Sequence, residues 1–339
     1  MRIGFSEYVS LGHPDKVADY ISEYILDRYV ERDPMTRYAL EVQIKDNFVT
    51  LGGEITSKAA FSEDDIAGFV RDAVRDIGYT PEYQARWGRS NTLSCDDLVI
   101  VQHISAQSPD IARGVDASGW GDQGIMFGMA VNSPETNFLP LDIFMARKIG
   151  KHLFDIRYAG LDIKTQISVE DDVIRKVIVA IPMQYKHNSV DVDNAVKFCL
   201  GGISDYRLIV NGTGSFVRHA SMGDCGTTGR KLAVDFYGCN CNVGGGSPWT
   251  KDASKADLTL NLYARKKAVE YVKATGVPFC KCGIACCIGQ REIEVFLMDG
   301  ANRIISTYTE DRNPEEIISE LGLRKPVFAE LCREGLFYV

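Results

Sequence analysis

The sequence predicts an α+β protein, and three observations carry that reading. Residues Asp15–Arg32 place apolar side chains at Val17, Ile21, Tyr24, Ile25 and Tyr29, the stripe of a helix packed on one side. Residues Tyr38–Ile55 read as two strands around the turn signal Lys45-Asp46-Asn47. Along the 339 residues helices alternate with antiparallel strand groups in three rounds, which favours helices layered on sheets.

The remaining elements follow in order. Ser62 with Asp65 three positions on forms a capping-box pattern that opens a helix to about Ile77. Leu98–His103 is a strand and Leu139–Leu153 a helix. Thr165–Val169 and Val173–Ile181 are strands, Asp191–Leu200 a helix, Lys231–Tyr237 a strand and Ala256–Ala274 a helix. Gly283–Ile288, Ile293–Leu297 and Ile304–Tyr308 are strands, and Asn313–Leu321 closes the pattern as a helix. The run Arg265-Lys266-Lys267 reads as a solvated helix face.

Composition bounds the function. A chain with 45% hydrophobic residues can bury sizeable cores, and its length suggests two or three domains. A net charge of -8 argues against nucleic-acid or anionic-membrane partners, so any polyphosphate site must be a local basic patch. No apolar run reaches transmembrane length and no signal-peptide core is visible, which makes the cytoplasm the expected location. The ten cysteines lack paired C-x₂-C spacing and nearby histidines, so zinc is disfavoured. They are expected to be reduced thiols packed on strands. No G-x-x-x-x-G-K-[ST] string is present, which excludes a generic P-loop NTPase.

Three strings mix glycine, carboxylate and cation, as polyphosphate binding requires. They are Gly12-His13-Pro14-Asp15-Lys16, then residues 223–231 (Gly-Asp-Cys-Gly-Thr-Thr-Gly-Arg-Lys), then Gly244-Gly245-Gly246 followed by Lys251-Asp252 and Ser254-Lys255-Ala256-Asp257. Cys225 lies inside the second string without an adjacent base, so it reads as a wall residue and not a nucleophile.

Together with Gly121-Asp122-Gln123-Gly124, these strings resemble the methionine adenosyltransferases, also called S-adenosylmethionine synthetases, from Phe5 to about Phe337. Cys225 replaces the family's usual alanine. The resemblance implies three similar α/β domains with pseudo-threefold symmetry and chain segments that cross between them. The implied boundaries are 1–12 plus 125–222 for the N-terminal domain, 13–124 for the central one and 223–339 for the C-terminal one. The implied reaction is the attack of L-methionine sulfur on C5′ of ATP, followed by hydrolysis of tripolyphosphate.

The resemblance also assigns roles. His13, Lys164, Arg230 and Lys251 are the implied catalytic residues. ATP is implied to bind at His13, Asp162, Lys164, Phe216, Asp224, Arg230, Lys231, Ser247 and Lys251, with Phe216 stacking on adenine. Methionine is implied to meet Glu54, Gln107, Asp224, Lys255 and Ile288. Asp15 and Asp257 match ligands of two Mg²⁺ ions, and Glu41 a K⁺ ligand. The site is implied to form between two subunits of a homodimer, alone or within a tetramer, with His13, Glu54, Gln107 and Lys164 facing Asp224, Arg230, Lys231, Lys251 and Lys255.

The chain departs from the family at several points. The usual Gly-Gly-Gly-Ala-Phe-Ser-Gly-Lys-Asp is here Gly244-Gly245-Gly246-Ser247-Pro248-Trp249-Thr250-Lys251-Asp252. Ser215 stands where an arginine is usual, and the stretch from Gln107 to Gly121 is short for the family's mobile loop. These changes raise two alternatives: a non-catalytic nucleotide-binding subunit, or an adenosyltransferase of altered substrate preference.

Overall fold

The computed structural model describes residues 3–106, 119–156, 159–184 and 188–337. The chain runs through β1 (Ile3–Val9), α1 (Pro14–Arg32), β2 (Arg37–Lys45), β3 (Phe48–Thr56), α2 (Glu63–Ile77), α3 (Pro81–Trp87), β4 (Val99–Ser105) and β5 (Gly124–Val131). It continues through α4 (Leu141–Ile156), β6 (Lys164–Glu170), β7 (Val173–Ala180), α5 (Asn188–Leu200), β8 (Arg207–Val210), β9 (Gly226–Thr227) and α6 (Leu232–Asp235). The last elements are α7 (Ala256–Thr275), β10 (Phe279–Cys286), β11 (Glu292–Met298), β12 (Ile304–Asp311), α8 (Pro314–Glu320) and α9 (Phe328–Glu334).

These strands form three four-stranded sheets, in the orders β1-β6-β7-β8, β9-β2-β3-β4 and β5-β10-β11-β12. Each is built on a sequential antiparallel pair: β6-β7, β2-β3 or β10-β11. In the first two, the edge strand (β8 or β4) adds in parallel after a crossover that contains a helix. In the third, β12 adds antiparallel to β11. A long helix covers each sheet: α4 on β1 and β6, α1 on β2 and β9, and α7 on β5 and β10.

The fourth strand of each sheet comes from elsewhere in the chain. β1 precedes α1, β5 precedes α4, and β9 precedes α7, so each of these strands lies in one unit while the next long helix covers another. This exchange runs across the expected boundaries. β5 pairs with β10 from Gly124↔Cys286 to Val131↔Phe279, outside the N-terminal unit, and β9 pairs with β2 at Gln43 and Ile44, outside the C-terminal one. Gly128 shows why β5 stays there: a Cβ on it would lie 2.1 Å from the Arg265 backbone nitrogen, so only glycine lets α7 approach this closely.

Local expectations hold where a side chain dictates the backbone. Ser62 and Asp65 form both bonds of the capping box. The expected strand Lys231–Tyr237 is instead the short helix α6, because this turn brings Asp235 onto the buried ammonium of Lys16 at 2.8 and 2.9 Å. Arg265 is fully buried and not on a solvated face. It donates to the carbonyls of Met129, Asn137 and Phe138, the last two at positive φ. Its neighbours Lys266 and Lys267 pair with Glu320 and Glu310. All ten cysteines are unbridged; Cys280, Cys282 and Cys286 are buried on β10 as expected, whereas Cys239 and Cys287 are exposed.

Helix α1 positions the site. Most of its residues are buried, and four of them are acids at i+4 spacing on one face: Asp15, Asp19, Glu23 and Asp27. Their carboxylates accept backbone N–H groups from distant segments. Asp15 takes Thr227, Asp19 takes Gly229, Glu23 takes Thr250, and Asp27 takes both Phe328 and Ala329 at the start of α9.

Candidate active site

The site begins at the N-terminus of α1. His13 is the N-cap, Pro14 occupies the first turn, and the His13 Nδ1 accepts the Asp15 N–H at 3.1 Å. That bond leaves the ring proton of a neutral imidazole on Nε2. Burial, reinforced by the charges of Lys164 and Lys231, pushes the His13 pKa down to about 3, so the ring is neutral at physiological pH. Asp15 is buried beside it. Burial alone would raise its pKa, but hydrogen bonds from the Lys231 ammonium and the Thr227 N–H outweigh this and hold it below the usual carboxylate range.

A cleft of about 290 Å³ opens here, lined by His13, Asp162, Lys164, Ala180, Phe216, Arg218, His219, Gly223 and Asp224. Lys164 is the first residue of β6, opposite Val9 of β1. Asp162 accepts the Ala220 N–H at 2.9 Å, and burial raises its pKa to about 7. Phe216 is half-buried and bridges to Met183, so it lines the cleft and is not a core residue. Five residues expected at the nucleotide therefore share one cleft. His13 and Lys164 meet Asp224 within a single chain, where the resemblance had set them on opposite sides of an interface.

The two glycine-rich strings lie along one edge of β2. Residues 226–227 pair with Gln43 and Ile44, and Lys251 bridges to Ala39. Between them stands Glu41, whose carboxylate accepts the Thr228 hydroxyl on one oxygen and the Thr250 hydroxyl, at 3.1 Å, on the other. Arg230 comes within 3.7 Å of Asp15. Ser247 lies against Gly229, where a Cβ would come 3.2 Å from its side chain, and its hydroxyl accepts the Trp249 N–H.

Lys251 pairs with Asp257, whose other oxygen accepts the Gly246 N–H at 2.7 Å. Gly245 donates to the Ile125 carbonyl, which brings this string against the start of β5, next to residues 121–124. Lys255 is the N-cap of α7, and Lys251 lies before that helix, bridged to Ala39. Ile288 is exposed and bridges to Trp120. Glu54 is half-buried on β3, opposite Ser105 of β4. Gln107 falls outside the described residues. Lys251, Asp257, Ile288 and Glu54 do not line the cleft.

The substituted loop is anchored inward. Trp249 is fully buried, its Nε1 donates to Asp235 at 2.7 Å, and the Lys16 ammonium lies 4.9 Å from its ring centroid. Sequence reasoning missed Arg218 and His219. His219 is buried, bonded to the Tyr83 hydroxyl at 2.7 Å and the Val217 carbonyl, and carries no motif. It also missed Asp19 and Glu23, although their spacing from Asp15 is visible in the sequence.

Comparisons with known proteins follow the same lines. Residues 2–109, 117–216 and 219–338 match the family models of the N-terminal, central and C-terminal domains of S-adenosylmethionine synthetase. An S-adenosylmethionine synthase of Desulforudis audaxviator is 35% identical over 375 residues, covering 98% of this chain and 92% of that protein. One of Brachyspira hyodysenteriae is 33% identical over 377 residues with the same coverage. A solved structure described as an unusual S-adenosylmethionine synthetase from Campylobacter jejuni matches with a TM-score of 0.87 at 27% identity, covering 99% of this chain and 95% of that one. With three domain matches across nearly all of its length, the chain belongs to the S-adenosylmethionine synthetase family.

Proposed function

We propose that the chain makes S-adenosylmethionine from ATP and L-methionine by in-line attack of the methionine sulfur on C5′, then hydrolyses tripolyphosphate to phosphate and diphosphate. The observation that carries this reading is the cleft in which His13, Asp162, Lys164, Phe216 and Asp224 converge. The sulfur is the nucleophile, so the protein needs none. Its tasks are alignment and stabilisation of charge on the departing oxygen.

Neutral His13, with its proton on Nε2, donates a hydrogen bond to the bridging O5′ as negative charge develops there. Phe216 stacks on adenine. Lys164, Arg230, Lys231 and Lys251 contact the triphosphate, and Arg218 supplies a cation near the position where Ser215 replaces an arginine. Asp224 receives the methionine ammonium, with Glu54, Gln107, Lys255 and Ile288 completing the amino-acid side.

Asp15 and Asp257 are the proposed Mg²⁺ ligands. Among the described residues no group of three or more His, Cys, Asp or Glu could enclose a metal. Single carboxylates fit an ion that also takes phosphate oxygens and water. Such ions, when bound, neutralise triphosphate charge and polarise its bridging oxygens. At Glu41 the two carboxylate oxygens accept the Thr228 and Thr250 hydroxyls, so a K⁺ there would have to share or displace one of these bonds.

We further propose a homodimer with shared sites, in a dimer or a tetramer. Lys251, Asp257 and Glu54 lie off the cleft, and Phe48, Val99 and Val101 are exposed on β3 and β4, where apolar surface of this kind favours a partner. A cytoplasmic location accords with ten unbridged cysteines. No helix among the described residues is long and apolar enough to cross a membrane. The inward anchoring of Trp249 and the presence of both proposed Mg²⁺ carboxylates weigh against a non-catalytic subunit.

The test is incubation of purified protein with ATP, L-methionine and Mg²⁺, followed by mass spectrometry and phosphate release. Methionine-dependent formation of S-adenosylmethionine and phosphate supports the reading. ATP binding without either product overturns it in favour of another substrate or a regulatory role.

A further inference from the structure

We propose that Thr250 is a positioning residue whose hydroxyl, tethered to Glu41, does for this chain what a bound monovalent cation would otherwise do: it fixes the Lys251 segment on β2. The inference rests on the reading of Lys251 as a phosphate contact.

The geometry begins with the backbone. Thr250 has φ +75°, in the left-handed region, where a β-branched residue is a true outlier. Such a conformation persists only when its surroundings over-determine it. Here every polar group of the residue is engaged. Its N–H donates to Glu23 Oε1 at 2.5 Å, its carbonyl accepts the Leu40 N–H at 3.1 Å, and its hydroxyl donates to Glu41 Oε1 at 3.1 Å. The side chain is buried. The next residue is Lys251, bridged to Ala39, and then Asp252, which accepts the Tyr38 N–H at 2.9 Å.

The sequence explains why this matters. The family string carries glycine at this position, and glycine occupies the left-handed region without strain. Glycine offers no hydroxyl, however, and leaves one oxygen of Glu41 for another positive partner. In this chain Thr250 fills that place, and Thr228 fills the other oxygen from the 226–229 segment. Glu41 thus joins both phosphate strings through two hydroxyl bonds. A β-branched residue retained in a strained conformation implies a compensating role for its hydroxyl.

The test compares wild type with Thr250→Gly, Thr250→Ala and Thr250→Ser at constant ionic strength, in K⁺ or in tetramethylammonium, which cannot coordinate. Thermal unfolding of the ligand-free protein and calorimetric ATP binding are the readouts. Glycine suits φ +75°, so Thr250→Gly folds. Expected are a wild type and a Thr250→Ser variant whose melting temperature and ATP affinity do not respond to K⁺. Thr250→Gly and Thr250→Ala should lose about tenfold in ATP affinity without K⁺, equivalent to ~1.4 kcal/mol, and Thr250→Gly should regain it when K⁺ is added. A wild type that K⁺ stabilises, with the effect lost in Thr250→Gly, would make the two hydroxyls cation ligands and overturn the proposal. An equal K⁺ response in all four proteins would overturn it too. The melting-temperature arm needs neither ATP nor turnover, so it decides the tether even if the proposed reaction fails.

Discussion

Asp19 accepts the backbone N–H of Gly229 at 2.8 Å while its other oxygen lies 3.2 Å from the Lys16 ammonium. The first contact holds the turn just before Arg230 and Lys231. The second joins that turn to the buried pair of Lys16 and Asp235. An acid one helical turn beyond Asp15 therefore holds in place the turn that carries Arg230 and Lys231.

Asp19→Ala should weaken ATP binding as well as stability. It leaves the Gly229 N–H without its acceptor and removes one of two carboxylates around a buried lysine, a change of about 3–5 kcal/mol in comparable buried pairs. Calorimetric ATP titration at a temperature where the variant is folded separates the effects. A variant that melts earlier but binds ATP as wild type would show that Asp19 serves stability alone.

Asp27 carries a prediction about pH. Burial, only partly offset by the N–H groups of Ala329 and Phe328, pushes its pKa up to about 6, above its ordinary 3.8. A raised folded pKa means that the carboxyl's stabilising contribution is complete below the unfolded value and is lost as pH rises through about 6. Asp27→Asn removes that titration. The decline in unfolding free energy between about pH 4 and 6 should become shallower than in wild type, as measured by urea denaturation across that range. An unchanged slope would show that Asp27 titrates normally.

His13 should act as a neutral donor. With its pKa near 3, no acid limb centred on the ordinary histidine value should appear in the kcat profile. His13→Ala should lower kcat by about 10²–10³, the cost of losing one donor to a developing oxyanion, with a smaller change in ATP affinity. Single-turnover kinetics across pH 5–9 checks both. An acid limb near pH 6.5 that disappears in the variant would instead make His13 a titrating acid.

Much of this was legible in the sequence wherever a side chain acts on its own neighbourhood. The capping box at Ser62 and Asp65, the hairpin turn at Asp46 (φ +51°) and the helix after Pro14 all formed as expected. What failed depends on distant partners. β9 is two residues long and has no periodicity to read, so the exchange of strands between units was invisible at that point. Arg265 looked solvated because the carbonyls it satisfies lie more than a hundred residues away. The four acids of α1 are evenly spaced in the sequence, but without residues 227–250 and 328–329 opposite them such spacing reads as an exposed acidic face.

Trp249 tests whether the altered loop belongs to the scaffold or to the chemistry. Its ring is fully buried and its Nε1 donates to Asp235, which also binds Lys16. Trp249→Phe keeps most of the volume and removes a hydrogen bond to a charged acceptor, worth about 1.5–3 kcal/mol. Trp249→Ala opens a cavity and should cost about 3–5 kcal/mol. Guanidinium unfolding should rank the two in that order. Trp249→Phe should bind ATP nearly as wild type, because Glu23, Glu41 and Leu40 still hold Thr250, and Lys251 with it. If Trp249→Phe kept full stability but lost ATP affinity, the indole would face the nucleotide, and the inward anchoring of this loop would not describe the working protein.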